Sequence, residues 1–203
     1  MIRILLTLAF SYAFSDTGLR DYAKNHYFPD IQWRVDQLIE RLDQTPGDPW
    51  LLFLDIDETM ISHLGWIEKD MAFKPNLKAW DAYVNEVRGD RIDPVFQLFQ
   101  YAKSRDYPII IATGRYEDQK AMTLDLLSRN GYQGWEAIHF NHESVSAAVH
   151  KTRTRCQYAK QGYAVINVGD QLSDMVGGCS SIALKLPNPF YREGSSVFEL
   201  EQP

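Results

Sequence analysis

The sequence predicts an α/β fold: a Rossmann-like, mainly parallel sheet with helices on both faces and a small helical insertion after the first acidic motif. Three observations point there. Apolar runs of strand length recur at residues 50–54, 107–112, 137–140, 163–168 and 181–186. Stretches of about 10–15 residues with helical spacing separate most of them, the alternation that builds parallel sheets. The runs are continuous rather than alternating, as expected of strands covered on both faces.

At the start of the chain, Met1-Ile2-Arg3 is a short basic segment, Ile4 to Phe10 is apolar apart from Thr7, and Ala13-Phe14-Ser15 sets small residues at a cleavage position before Asp16. This pattern predicts a secretory signal peptide over residues 1–15 and a periplasmic or secreted protein. A buried N-terminal strand, and with it a cytoplasmic protein, is the competing reading. The apolar stretch is too short to span a bilayer, and no Cys follows it to carry a lipid. Residues 16–203 then read as a single domain.

Asp30 caps a predicted helix whose apolar positions Ile31, Val35, Leu38, Ile39 and Leu42 recur at helical spacing, and Thr45-Pro46-Gly47-Asp48-Pro49 ends it. The first strand is 50–54. Residues 60–92 read as an insertion over the strand ends, with a short helix through Leu77, Trp80, Ala82, Tyr83, Val84 and Val87 that stops near Gly89. Asp93-Pro94 supplies a cap and first position for a helix to residue 104. Helices at 117–129, stopped by Asn130-Gly131, and at 152–161, closed by Gly162, alternate with the later strands.

The 203 residues are 45% hydrophobic, enough for one well-buried core. Lys and Arg total 21 against 27 Asp and Glu, a formal charge of −6, and no basic block occurs, which argues against a nucleic acid polymer as partner. An anionic substrate would need a local positive site, from a metal or a few well-placed Lys, Arg and amides. Cys156 and Cys179 lack zinc-site spacing and are too few for a disulfide scaffold, so free, partly buried thiols are expected, with a bridge as the alternative.

Asp55-Ile56-Asp57-Glu58-Thr59 directly follows the first run. Two carboxylates two positions apart at a strand end lie side by side where ligands of open α/β sheets bind. They repel unless a cation sits between them or one keeps a proton, so the pair implies a metal or acid/base chemistry. Taken alone, it is also an ordinary Asp-rich turn. Three more polar sites fall at strand ends or helix starts: Thr113-Gly114-Arg115, Lys151 opening a helix, and Gly169-Asp170-Gln171-Leu172-Ser173-Asp174. Each alone reads as a turn, a solvated charge or a capped helix start. The information is in the order and context of all four.

That combination resembles the haloacid dehalogenase superfamily over residues 50–190, whose motifs are D-x-D-x-T, a strand ending in Thr or Ser, a Lys, and a G-D-x-x-x-D type acidic loop. Ala112 to Arg115, Asn130 to Trp135, Lys151 to Arg155, Gly169 to Asp174 and Leu186 to Pro189 are similar to its acid phosphatase branch, which includes bacterial secreted acid phosphatases and plant vegetative storage proteins. Leu172 stands where most relatives have another residue, often Trp. The resemblance implies a Mg²⁺-dependent acid phosphatase hydrolysing small organic phosphate monoesters, nucleoside monophosphates among them. It makes Asp55 the nucleophile that forms an aspartyl-phosphate and Asp57 the acid and base for leaving group and water. Thr59 is expected to fix the rotamer of Asp57. Asp55, Asp170 and the Asp57 carbonyl would hold Mg²⁺ with Asp174 close by, and Thr113, Gly114 and Lys151 would cradle the phosphate.

Arg115 and Arg155 read equally as supports behind the site or as surface or structural ion pairs. Trp66, Trp80 and Tyr83 are expected to pack the core of the insertion, with stacking on a nucleobase or aryl leaving group as the alternative. His63 reads as an ordinary loop histidine. Two other functions share the resemblance: a weakly active storage or binding protein, from which Asp55 could have been lost, and a phosphotransferase using the same intermediate.

Overall fold

The computed structural model describes residues 16–45, 47–70, 72–73, 77–84, 86, 88–142 and 144–191, so the expected leader at 1–15 lies outside the described residues. Helices α1 (Asp16–Asn25) and α2 (Tyr27–Asp43) precede strand β1 (Trp50–Leu54). Then come β2 (Ile61–Ser62), α3 (Leu64–Lys69), α4 (Leu77–Val84) and β3 (Asp90–Arg91). Next are α5 (Asp93–Ser104), β4 (Ile109–Tyr116), α6 (Lys120–Arg129) and β5 (Ala137–Asn141). The described chain closes with α7 (Ala147–Lys160), β6 (Ala164–Gly169), α8 (Leu172–Met175) and β7 (Ile182–Lys185).

The main sheet is parallel throughout, in the order β5-β4-β1-β6-β7. The predicted α/β class holds, and β1 shows why its sequence is uniformly apolar. Leu51 and Phe53 join Ile110, Ala112 and Val165 against Tyr158 and Ala159 of α7. Trp50, Leu52 and Leu54 point the other way, into the larger core with Ile31, Val35 and Leu38 of α2 and Val95, Leu98 and Phe99 of α5. Burying each such side chain contributes about 1.5–3 kcal/mol. From β1 the chain moves outward to β4 and β5, then returns to β6 and β7 on the opposite side, which puts a topological switch point at the carboxyl end of β1.

Several elements differ from their sequence expectations. α1 was not anticipated, because only Leu19, Tyr22 and Ala23 mark its inner face. Asp30 does not cap α2; the helix begins at Tyr27, and the Asp30 carboxylate accepts a 2.7 Å hydrogen bond from the Tyr22 hydroxyl. β4 runs on through Thr113-Gly114-Arg115 instead of ending at Ala112. α7 starts at Ala147 with Ser146 as its cap, so Lys151 lies inside the helix rather than opening it. Among its described residues the insertion contains two helices and a two-stranded ribbon, β2 antiparallel to β3, where one helix was expected. Gly89 allows that ribbon to close: its φ is +132°, and a Cβ there would meet Ile61 Cγ2 at 2.4 Å.

The cysteine expectation is also corrected. Cys156 on α7 and Cys179 beyond α8 form a disulfide, with Cα atoms 5.1 Å apart. Their spacing carries no signal for this, because only the return of the chain through β6 brings them together. In the chain-entropy picture, closing a loop of this size stabilises by about 3 kcal/mol. Among the described residues, no helix is long and apolar enough to cross a membrane.

Candidate active site

Asp55 is the last residue of its segment held by the sheet, its N–H donating to the Val168 carbonyl at 3.1 Å. Beyond it the chain turns sharply. The Ile56 carbonyl accepts from the amides of Thr59 at 3.2 Å, Met60 at 2.8 Å and Ile61 at 3.0 Å, and Glu58 is forced to a φ of +53°. The turn leaves Asp55 and Asp57 at the switch point, opposite the ends of β4 and β6.

Asp55 Oδ1 lies 2.7 Å from Lys151 Nζ, and the same ammonium lies 2.6 Å from Asp174 Oδ1. Asp55, Asp170 and Asp174 are all buried, and each presents a carboxylate oxygen within 4.8 Å of the others. Asp174 Oδ2 accepts the Gln171 N–H at 2.8 Å. Gly169 is required at the first position of this loop, since a Cβ on it would sit 2.4 Å from the Asp174 side chain. Asp170 Oδ2 accepts from Gln171 Nε2 at 2.6 Å and Asn188 Nδ2 at 2.7 Å, while Lys185 Nζ donates to the Asp170 carbonyl at 2.9 Å.

Asp57 sits nearer solvent, with 16% of its side chain exposed. Arg115 grips it with Nη2 2.6 Å from Oδ1 and Nε 3.1 Å from Oδ2, and is itself steadied by Thr123 Oγ1 at 3.2 Å. His63 Nε2 lies 2.8 Å from the same Oδ1, and its Nδ1 faces the Tyr83 hydroxyl at 3.2 Å. Burial opposes ionisation of Asp57, but Arg115 and His63 outweigh it and hold the carboxyl well below the usual range. The neighbouring acids go the other way. Burial pushes Asp55 up against the pull of Lys151, and burial with the nearby Asp174 raises Asp170 to about 7.

Sequence reading missed two members of this site. His63 is a fixed, buried partner of Asp57 rather than an ordinary loop residue. Glu58 is buried beneath the turn, accepting the His63 N–H at 2.5 Å and the Tyr27 hydroxyl at 2.8 Å. Thr59, expected beside Asp57, donates instead to Asp170 Oδ1 at 3.2 Å, because the turn points its side chain toward β6. Arg155 is fully buried and bonds backbone carbonyls. Thr113 accepts the Arg115 N–H at 3.1 Å, with Gly114 between them in β4. Trp66 stacks on Tyr83 with centroids 4.2 Å apart, and His63 meets Trp80 edge-on at 5.1 Å, so these rings pack with one another inside the insertion. Leu172 is 56% exposed.

The buried acids imply a stability effect. Burial raises Glu58 to about 7 despite the hydrogen bonds from His63 and Tyr27, against an ordinary value of 4.5. The folded protein therefore holds this proton more tightly than the unfolded chain. The contribution is full below about pH 4.5 and is lost as pH rises toward 7. With chelator present, the Tm should fall across that window, and Glu58→Gln should lessen the fall by the equivalent of about 3 kcal/mol. An equally steep pH dependence in the variant would contradict this assignment.

A family model described as HAD superfamily, subfamily IIIB (Acid phosphatase), matches residues 12–193. Stem 28 kDa glycoprotein of Glycine max is 30% identical over 159 residues, 74% of this chain and 62% of that protein. A Stem 31 kDa glycoprotein of Glycine max is 29% identical over 157 residues, so the chain spans 53% of its length. Acid phosphatase 1 of Solanum lycopersicum is 25% identical over 195 residues, 84% of this chain and 73% of that protein. The class C acid phosphatase from Bacillus anthracis shares the fold, with a TM-score of 0.69 and 18% identity over 87% of this chain and 86% of that one. With the parallel sheet and its acidic switch point, the match over residues 12–193 shows that this chain belongs to the HAD superfamily, subfamily IIIB, the acid phosphatases.

Proposed function

We propose that this chain is a phosphoric monoester hydrolase that cleaves small organic phosphates, nucleoside monophosphates among them, through a phosphorylated Asp55. The observation that carries the reading is the convergence of Asp55, Lys151, Asp170 and Asp174 beside an Asp57 fixed by Arg115 and His63. Asp55 would attack phosphorus in line with the leaving oxygen, forming the aspartyl-phosphate. Lys151 would keep its carboxylate oriented and supply positive charge for the incoming phosphate, and Thr113 and Gly114 within β4 would add a hydroxyl and an amide. Asp57 would protonate the leaving oxygen and later take a proton from the water that releases phosphate. Arg115 keeps Asp57 in the ionised form from which the second task starts, and the first requires Asp57 to gain a proton against the pull of Arg115 and His63.

The donor set suits a hard divalent cation. Asp55, Asp170 and Asp174 offer only oxygen, lie close together and leave more buried negative charge than Lys151 offsets. Asp55, Asp170 and the Asp57 carbonyl would hold Mg²⁺, with Asp174 adjacent. The cation, when bound, would neutralise part of the charge of the acids and the substrate phosphate.

A storage protein keeping only the fold would gain stability by losing these crowded acids, so their retention favours catalysis. The disulfide and the leader-like residues 1–15 support export to an oxidising compartment. A panel of phosphate monoesters assayed with Mg²⁺ and with chelator tests the reading. Phosphate release that needs Mg²⁺ and does not change on adding an alcohol acceptor is expected. Folded protein that hydrolyses no monoester would overturn the proposal, and transfer to the acceptor exceeding hydrolysis would reassign it to a phosphotransferase.

A further inference from the structure

The helix that carries Lys151 also grips the loop that carries Asp174. Lys151, Thr152, Arg155 and Cys156 share one face of α7, and each holds the segment from Asp174 to Cys179. Lys151 pairs with the Asp174 carboxylate. Thr152 Oγ1 donates to the Val176 carbonyl at 3.0 Å. Arg155 directs its donors to three carbonyls of the loop: Nε to Gly178 at 2.8 Å, Nη1 to Asp174 at 3.0 Å and Nη2 to Val176 at 2.5 Å. The Cys156–Cys179 disulfide closes the grip covalently.

The loop backbone lies directly on the helix. Gly177, at φ +82°, has no room for a Cβ, which would fall 2.2 Å from Thr152 Cγ2. Cys179 itself stands at φ +63°, a left-handed conformation that a side-chain-bearing residue keeps when its surroundings hold it there. Asn167 Nδ2 completes the hold from β6, donating to the Asp174 carbonyl at 2.8 Å. Arg155 therefore does not touch the reacting groups; it fixes the backbone from which Asp174 projects. Both cysteines are partly exposed, within reach of a reductant.

We propose that Arg155 and the Cys156–Cys179 disulfide are positioning elements for the acidic loop, so that the site's affinity for its divalent cation depends on the redox state of the disulfide. The inference rests on the metal-dependent reading above. The step is thiol–disulfide exchange: a dithiol gives up two electrons and two protons, the S–S bond breaks, two thiols form, and the dithiol becomes a disulfide. Reduction would leave the polar contacts in place but free the loop to open, and would matter most where cation is limiting.

The test compares the oxidised full-length protein, the same protein reduced with dithiothreitol, the Cys156→Ser/Cys179→Ser double variant and Arg155→Lys. Mg²⁺ affinity is read by calorimetry and local opening by hydrogen exchange over residues 170–179. Reduction is expected to raise the Mg²⁺ Kd by about 10- to 100-fold, as loss of supporting contacts around a metal site does. Exchange should quicken more within 170–179 than in β1 and β4, and excess Mg²⁺ should restore turnover of the reduced protein. Arg155→Lys should shift the Kd in the same direction. Unchanged affinity after reduction would overturn the proposal, as would an equal loss of protection in the sheet and in residues 170–179, which would make the bridge a global staple only. Oxidised protein that binds no Mg²⁺ would overturn the metal reading as well, and Asp170→Asn, which should abolish binding in oxidised protein, distinguishes that failure.

Discussion

Asp55→Asn is expected to lower kcat by at least about 10⁴-fold without unfolding the protein, the scale reached when a nucleophile is removed. The substitution keeps shape and volume but takes away the attacking oxygen's charge. The change should not weaken the fold. Asp55 is buried beside Asp170 and Asp174, and burial and those neighbours raise its pKa against Lys151. Removing its charge relieves repulsion, and Lys151 keeps Asp174 as a partner 2.6 Å away. A Tm at or above the wild-type value, measured beside phosphate release, checks both halves. A folded variant within tenfold of wild-type turnover would contradict the assignment.

Asp57→Asn should cost about 10²- to 10⁴-fold, and unequally across substrates. An alkyl phosphate needs its leaving oxygen protonated, whereas 4-nitrophenyl phosphate departs as a stable phenolate. The variant should lose more on the alkyl ester than on the aryl ester. A uniform loss would instead make Asp57 a structural partner of Arg115. The fold should also suffer here, because Arg115 is only 3% exposed and would lose the carboxylate that offsets its charge.

The sheet was legible because burial on both faces of β1, β4 and β6 leaves a local, continuous apolar signature. α1 has too few apolar positions to register, and α7 starts earlier than its Gly-closed end suggested because Ala147-Ala148-Val149 carries no charge or turn signal. Asp55, Asp57, Asp170 and Asp174 stood out through the order in which four polar sites follow strand ends and helix starts, since each site alone reads as an ordinary turn or cap. The Arg115 grip on Asp57 joins residues 58 positions apart, and the spacing that brings them together belongs to the β1–β4 register rather than to any local pattern. His63 and Glu58 were hidden for a related reason. Both depend on the left-handed turn at Glu58, which folds the β2 segment back under Asp57. The disulfide likewise closes only through the return of β6.

If Asp55 is the nucleophile, it carries the phosphoryl group during turnover. Acid quenching during steady-state turnover of a ³²P-labelled monoester, followed by peptide mapping, tests it most directly. Acid-stable, hydroxylamine-labile label is expected on the peptide containing Asp55 and absent from Asp55→Asn. Hydroxylamine-resistant label on another residue, or turnover with no labelled protein under conditions that trap an acyl phosphate, would contradict it.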